Sequence, residues 1–196
     1  GGLGIPSKIP FSEFGIFQRY IDALAPLLEK YPVGVQDLEK SAALMTEAGW
    51  TKNADGIWQK GDLVFKPNYG GFNAIYADIG PALCEQLTKE PPDLCQGPMS
   101  KGFINMCVFG VACDLDVYDG VEFFHKRHYA PTGEPLPLDG WNSRFNNDEY
   151  NAIIDTMYSM NPDDDPDAYT AELLKAMEIW YRELPAVPLW QWMHYV

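Results

Sequence analysis

Two amphipathic helical patterns stand in succession near the end of the chain, and they limit the fold more than any other feature. Between Asn147 and Met160, the residues Tyr150, Ile153, Ile154 and Met157 fall on one stripe at helical spacing. A second pattern opens with Asp165 as cap and Pro166 at the first helical position, where a backbone N–H has no partner to lose. It carries Tyr169, Leu173, Met177 and Trp180 along one face to about Leu184. The run Val187-Pro188-Leu189-Trp190 then reads as a strand. Each apolar stripe requires a surface to cover it, and helices followed by a strand point to helices laid on a sheet.

The rest of the chain mixes the two periods. Residues 1–11 are rich in Gly and Pro and read as an extended entry. From Phe14 to about Lys30, Phe17, Ile21, Leu24 and Leu28 recur at helical spacing, and Pro32 ends the pattern. A second helix is capped by Asp37, carries Leu38, Ala42 and Met45 on one face, and stops at Gly49. Asn53-Ala54-Asp55-Gly56 makes a turn, and Ile57–Gln59 and Leu63–Phe65 read as a hairpin around Lys60-Gly61-Asp62. A glycine-rich loop covers Asn68 to Asn73, and a helix, strained by Pro81, is expected from Ala74 to Thr88. Phe103–Phe109 is apolar and short, which suits a buried strand, and Val121–His128 reads as a helix. Residues 130–140 read as a loop. The mixed order predicts an α/β fold, one domain over residues 1–196 with a mixed sheet flanked by helices.

Composition narrows the partners. Hydrophobic residues make up 46% of the 196, enough for a real core. Lys and Arg number 14 against 28 Asp and Glu, a net charge of -14. Nucleic acid and anionic lipid both require basic patches, so neither is an expected partner, and a monomer is expected. No apolar run approaches the ~20 residues of a membrane span. The opening Gly1-Gly2-Leu3-Gly4 lacks a basic region followed by an apolar run, so a signal is not expected within this sequence. Cys84, Cys95, Cys107 and Cys113 fit disulfides or buried free thiols equally, and without a C-x-x-C pair a zinc ribbon is not expected.

Four groups of residues invite a chemical reading. Asn161, Asp163, Asp165 and Glu172 have the oxygen spacing of a calcium loop, but Pro166 stands where that loop needs glycine. Acidic residues at a helix N-terminus explain the cluster. Glu122, His125 and His128 lie three apart, so on one helix face they would form a catalytic zinc set and make the chain a metal-dependent hydrolase. Zincins space their histidines differently, and a solvated helix face is the ordinary alternative. Gly70-Gly71 suits a turn better than an anion cradle. Tyr69, Phe72, Tyr118 and Trp141 fall in expected loops beside strand ends, where open α/β sheets bind ligands and flat rings stack on sugars or peptide side chains. The competing use for each ring is packing beneath a loop.

Three stretches resemble the C-terminal lobe of the family 5 solute-binding proteins, which serve ABC importers of peptides, nickel and oligosaccharides. The first is the D-x-E-K-x-x-x-L-x-x-E-A-G-W helix from Asp37 to Trp50, followed by N-x-D-G-I-W from Asn53 to Trp58. The second runs from Trp141 through Arg144 and Asn147 into Glu149-Tyr150. The third is the helix from Ala176, closed by Glu183-Leu184-Pro185-Ala186-Val187-Pro188-Leu189. They stand in the family's order.

The resemblance implies one lobe of a periplasmic-binding-protein-like class II fold, with the N-terminal lobe absent from this sequence. It implies an extracytoplasmic binding protein, periplasmic or lipid-anchored, that delivers its solute to ABC transporter permease subunits and uses no cofactor. Gly110-Val111-Ala112-Cys113-Asp114 follows the apolar strand, where peptide-binding relatives carry G-W-x-x-D and their aspartate meets the peptide's α-amino group. Asp114 stands at that aspartate, while Val111 replaces the tryptophan, so oligopeptide and β-oligosaccharide ligands both stay open. The resulting candidate ligand-binding set is Tyr69, Phe72, Asp114, Tyr118, Trp141 and Arg144. No catalytic residue and no resident metal are expected with it.

Overall fold

A computed structural model describes residues 4–65, 69–71, 106–108, 116–131, 134 and 144–192. The chain forms two compact units, Gly1–Val35 with Gly110–Val196, and Gln36–Phe109. Among the described residues, no helix is long and apolar enough to cross a membrane.

The first unit is built on the two helices that dominate the sequence pattern. We label the described helices in chain order, α1 (Gln18–Ala23), α2 (Ala25–Lys30), α3 (Leu38–Glu47), α4 (Val117–Glu122), α5 (Asp148–Tyr158) and α6 (Pro166–Glu183). Asn147 caps α5 by accepting from Tyr150 N, and Asp165 caps α6 by accepting from Ala168 N, so local chemistry starts both helices where expected. The stripe of α5 is buried, with Tyr150 and Ile154 fully inside, and so is that of α6, with Leu173, Met177 and Trp180 fully inside. The two helices pack on each other, α1 and α2 pack on α6, and α4 packs on α5. Burying each such large side chain is worth roughly 1.5–3 kcal/mol, which makes this cluster the core of the unit.

The single helix expected over residues 14–30 is instead a 3-10 turn at Gly15–Phe17 followed by α1 and α2, broken at Leu24. Pro26 explains the break, because its ring clashes with the carbonyl four residues back and it has no N–H to donate. Leu24 sits at the corner and is fully buried. The extended entry forms β1 (Gly4–Pro6), which pairs antiparallel with β7 (Trp190–Trp192). The register sets Gly4 opposite Trp192, so the chain enters and leaves this ribbon at the same end. The terminal strand lies slightly beyond the expected Val187–Trp190.

The second unit holds α3 and two small sheets. Asp37 caps α3 by accepting from Lys40 N. Gly49 follows the helix at φ +83°, and Lys60 Nζ donates to Ala48 O at 2.8 Å, a cation on the negative end of the helix. The antiparallel meander β2 (Thr51–Lys52), β3 (Trp58–Lys60) and β4 (Leu63–Val64) contains the expected hairpin. The expected apolar face of α3 is not a core face here, for none of its residues is buried and Leu38 is 70% exposed. The expected glycine-rich loop is a strand over part of its length. β5 (Tyr69–Gly71) pairs parallel with β6 (Met106–Val108), which lies in the apolar run. The expected helix over 74–88 and all but Cys107 of the four cysteines lie outside the described residues.

Candidate functional site

The described candidate residues of the first unit surround α4 and the turn that follows it. Asp116 has an extended backbone and accepts from Tyr118 N at 3.1 Å, which starts α4. The same carboxylate oxygen accepts from the Tyr169 hydroxyl at 2.9 Å, tying α4 to α6. Burial, followed by the nearby Asp116, pushes the Tyr169 phenol far above the usual tyrosine range, so it remains a donor. From α5, the Tyr150 hydroxyl donates to Val121 O at 2.6 Å.

α4 ends at Glu122, with Phe123 as its cap. A 3-10 turn, Lys126–His128, follows with His125 as its cap at φ -75° and ψ 149°. The expected helix over 121–128 is therefore two separate pieces, because the backbone at His125 is extended and its ring accepts from Arg127 N. Its Nδ1 accepts from Arg127 N at 3.2 Å and from Arg127 Nε at 3.1 Å. Arg127 is the hub of the neighbourhood. Its Nη1 meets Glu122 Oε1 at 2.9 Å, its Nη2 donates to the Tyr118 hydroxyl at 3.3 Å, and it lies over the Tyr158 ring.

This geometry breaks up the zinc set. Glu122 Oε1 pairs with His128 Nε2 at 2.9 Å, but His125 turns its Nε2 toward Asp155 Oδ1, 3.2 Å away on α5. Its other nitrogen is occupied by Arg127, a cation that a metal ion would oppose. Among the described residues, no group of three or more His, Cys, Asp or Glu is disposed to hold a metal ion. The calcium-like spacing likewise resolves into local caps, with Asn161 accepting from Asp163 N and Asp165 from Ala168 N.

Of the candidate ligand-binding residues, Tyr118 lies in the first turn of α4 rather than in a loop. Its ring centroid is 6.0 Å from that of Tyr158, and burial raises its phenol above the usual range while Arg127 opposes the shift. Arg144 spends its guanidinium on backbone, donating to Ala130 O at 2.7 Å, to Pro131 O, and to Glu134 O at 2.8 Å. It thereby ties together Ala130, Pro131 and Glu134, which fall within the loop expected over 130–140. Among the described residues, no hydrogen bond or ring contact joins Tyr118 to Arg144. The backbone of Tyr69 is in β5 of the second unit. Phe72, Asp114 and Trp141 lie outside the described residues. Sequence reasoning missed Arg127 and Asp155, and no local signal marks them, since the groups they meet come from different turns and helices.

No protein-family model matches the sequence, and no curated protein matches it. Solved structures do share the fold. NikZ from Campylobacter jejuni, in complex with Ni(L-His), has a TM-score of 0.64 at 12% identity, covering 88% of this chain and 39% of that one. The oligopeptide-binding protein AppA from Bacillus subtilis, in complex with a nonapeptide, has a TM-score of 0.57 at 19% identity, covering 81% of this chain and 33% of that one. The chain thus spans well under half the length of these two structures. At such identities the likeness is one of fold. It establishes the expected mixed α/β architecture, similar to a lobe of a periplasmic binding protein.

Proposed function

We propose that the chain is the C-terminal lobe of a two-lobed, extracytoplasmic solute-binding protein of family 5, which hands its solute to the permease subunits of an ABC importer. The observation that carries this reading is the fold shared with AppA and NikZ over more than four fifths of this chain. The antiparallel pairing of β1 with β7 supports it, because a lobe joined to another by paired strands must begin and end at one place. The proposed role is binding without catalysis, with closure of two lobes about those strands trapping the solute.

The proposed solute is an oligopeptide, with a β-oligosaccharide as the alternative within the same family. The peptide reading rests on Asp114, whose carboxylate would meet the peptide's ammonium group. Tyr69, Phe72, Tyr118 and Trp141 would supply flat surfaces, and Arg144 the shape of the neighbouring loop. Native mass spectrometry of the gently purified complete protein tests the class of solute. A spread of added amino-acid residue masses is expected, added hexose units would move the assignment to a sugar, and failure to bind peptides or oligosaccharides in titration would overturn it. Within the peptide reading, Asp114→Ala should weaken binding tenfold or more, since truncating one partner of a buried charge pair costs about 2–5 kcal/mol. Unchanged affinity would remove Asp114 from the site.

A further inference from the structure

His125 combines burial with a use of its lone pair that protonation would end. The residue is only 4% exposed. Because Nδ1 accepts two N–H groups, the neutral ring must carry its proton on Nε2. Nε2 lies 3.2 Å from Asp155 Oδ1 without the alignment of a hydrogen bond. The charged groups around the ring are Arg127, Lys126 and Glu122 on its own side and Asp155 from α5. Burial, then Arg127, holds the imidazole below its usual range, with Asp155 opposing. Asp155 is more than half exposed, so solvent screens its pull on the charged ring. Inside, the protonated Nδ1 would become a donor facing two donors, the Arg127 backbone N–H and the Nε–H of its guanidinium.

We propose that His125 is an acid-sensitive latch, which pins the Lys126–His128 turn when neutral and releases Arg127 when protonated. Two fixed points bound the motion. Lys126 N donates to Asn151 Oδ1 at 2.9 Å, and neither group titrates. Beyond the turn, Arg144 holds the carbonyls of Ala130, Pro131 and Glu134. What the protonated ring releases is therefore Arg127, since His128 keeps its contact with Glu122. That release carries Arg127 away from Glu122 and from the Tyr118 hydroxyl, so acid remodels the exposed face around Tyr118 and Tyr158. This holds whatever solute the protein binds.

The direction in pH follows from the lowered value. The neutral ring's contribution to stability is complete above the ordinary histidine pKa of about 6.5. It declines as pH falls from there to the lower folded-state value, and below that it is fully lost.

Proton NMR of the 196-residue chain, titrated from neutral to acidic pH, reads the His125 ring directly. It should titrate below about 6.5. Hydrogen exchange corrected for intrinsic rates reads the latch, and the Arg127 amide should lose roughly three- to tenfold protection across that titration, the net worth of one or two hydrogen bonds. His125→Asn keeps an acceptor at the cap and cannot titrate, so its Arg127 protection should stay flat with pH. A His125 ring titrating at or above the ordinary value overturns the proposal, as does an equal acid-dependent loss of protection in His125→Asn.

Discussion

Gly120→Ala is a sensitive probe of how α4 meets the rest of its unit. A Cβ at Gly120 would stand 2.6 Å from Phe11 Cβ, 2.8 Å from Pro10 O and 3.0 Å from Phe11 Cα. All three atoms belong to the backbone or to its first side-chain carbon, so no rotamer change can move them aside. Relief requires α4 or the 10–11 segment to shift, and both are anchored. Phe11 is buried, and Val117 and Val121, which flank Gly120 on α4, are fully buried. Overpacking of this kind costs typically 1–3 kcal/mol, and contact with fixed atoms belongs at the upper end. Alanine returns about 1 kcal/mol through its better helix propensity. The net loss is then about 2 kcal/mol, or a fall in Tm of roughly 4–8 °C for a chain of this size. Urea denaturation should show a lower midpoint with an unchanged slope, because the surface exposed on unfolding stays the same. A neutral or stabilised Gly120→Ala would mean that propensity outweighs the clash, and would refute the close approach of α4 to Pro10 and Phe11.

Two further substitutions test the local supports. Asp165→Ala removes the acceptor for Ala168 N and should cost about 1 kcal/mol in equilibrium unfolding, while Asp165→Asn should retain most of that stability. An equal loss in both variants would point to charge rather than capping. Arg144→Ala leaves three carbonyls without their charged donor and should cost about 1.5–3 kcal/mol. Limited proteolysis should then cut near 130–134 faster, and unchanged cleavage would show that Arg144 does not hold that segment.

Both long helices are legible because what starts and stops them is local. Asn147, Asp165 and Pro166 act on N–H groups within three residues, and the stripes of α5 and α6 need only helical spacing to be recognised. The break at Leu24 was equally available in Pro26, a signal that the apolar periodicity of residues 14–30 concealed. The turn at Gly49 and the hairpin around Gly61 are read from residues that favour positive φ. The resemblance to a binding-protein lobe came from ordered short motifs, and the shared fold agrees with it while leaving the ligand unassigned.

By itself, then, the sequence determined where α3, α5 and α6 are capped, which faces of α5 and α6 are apolar, and that the fold mixes α and β. Tertiary structure alone decided what depends on distant partners. Gly4 pairs with Trp192 across almost the whole chain, and Tyr69–Gly71 becomes a strand only because Met106–Val108 lies alongside to take its hydrogen bonds. Helix spacing seemed to align Glu122, His125 and His128, but the ring of His125 accepts from Arg127 and faces Asp155 on another helix. The physical reason is the same in each case. A helix satisfies its backbone within a few residues, whereas strand pairing and side-chain networks are set by groups that only folding brings within reach.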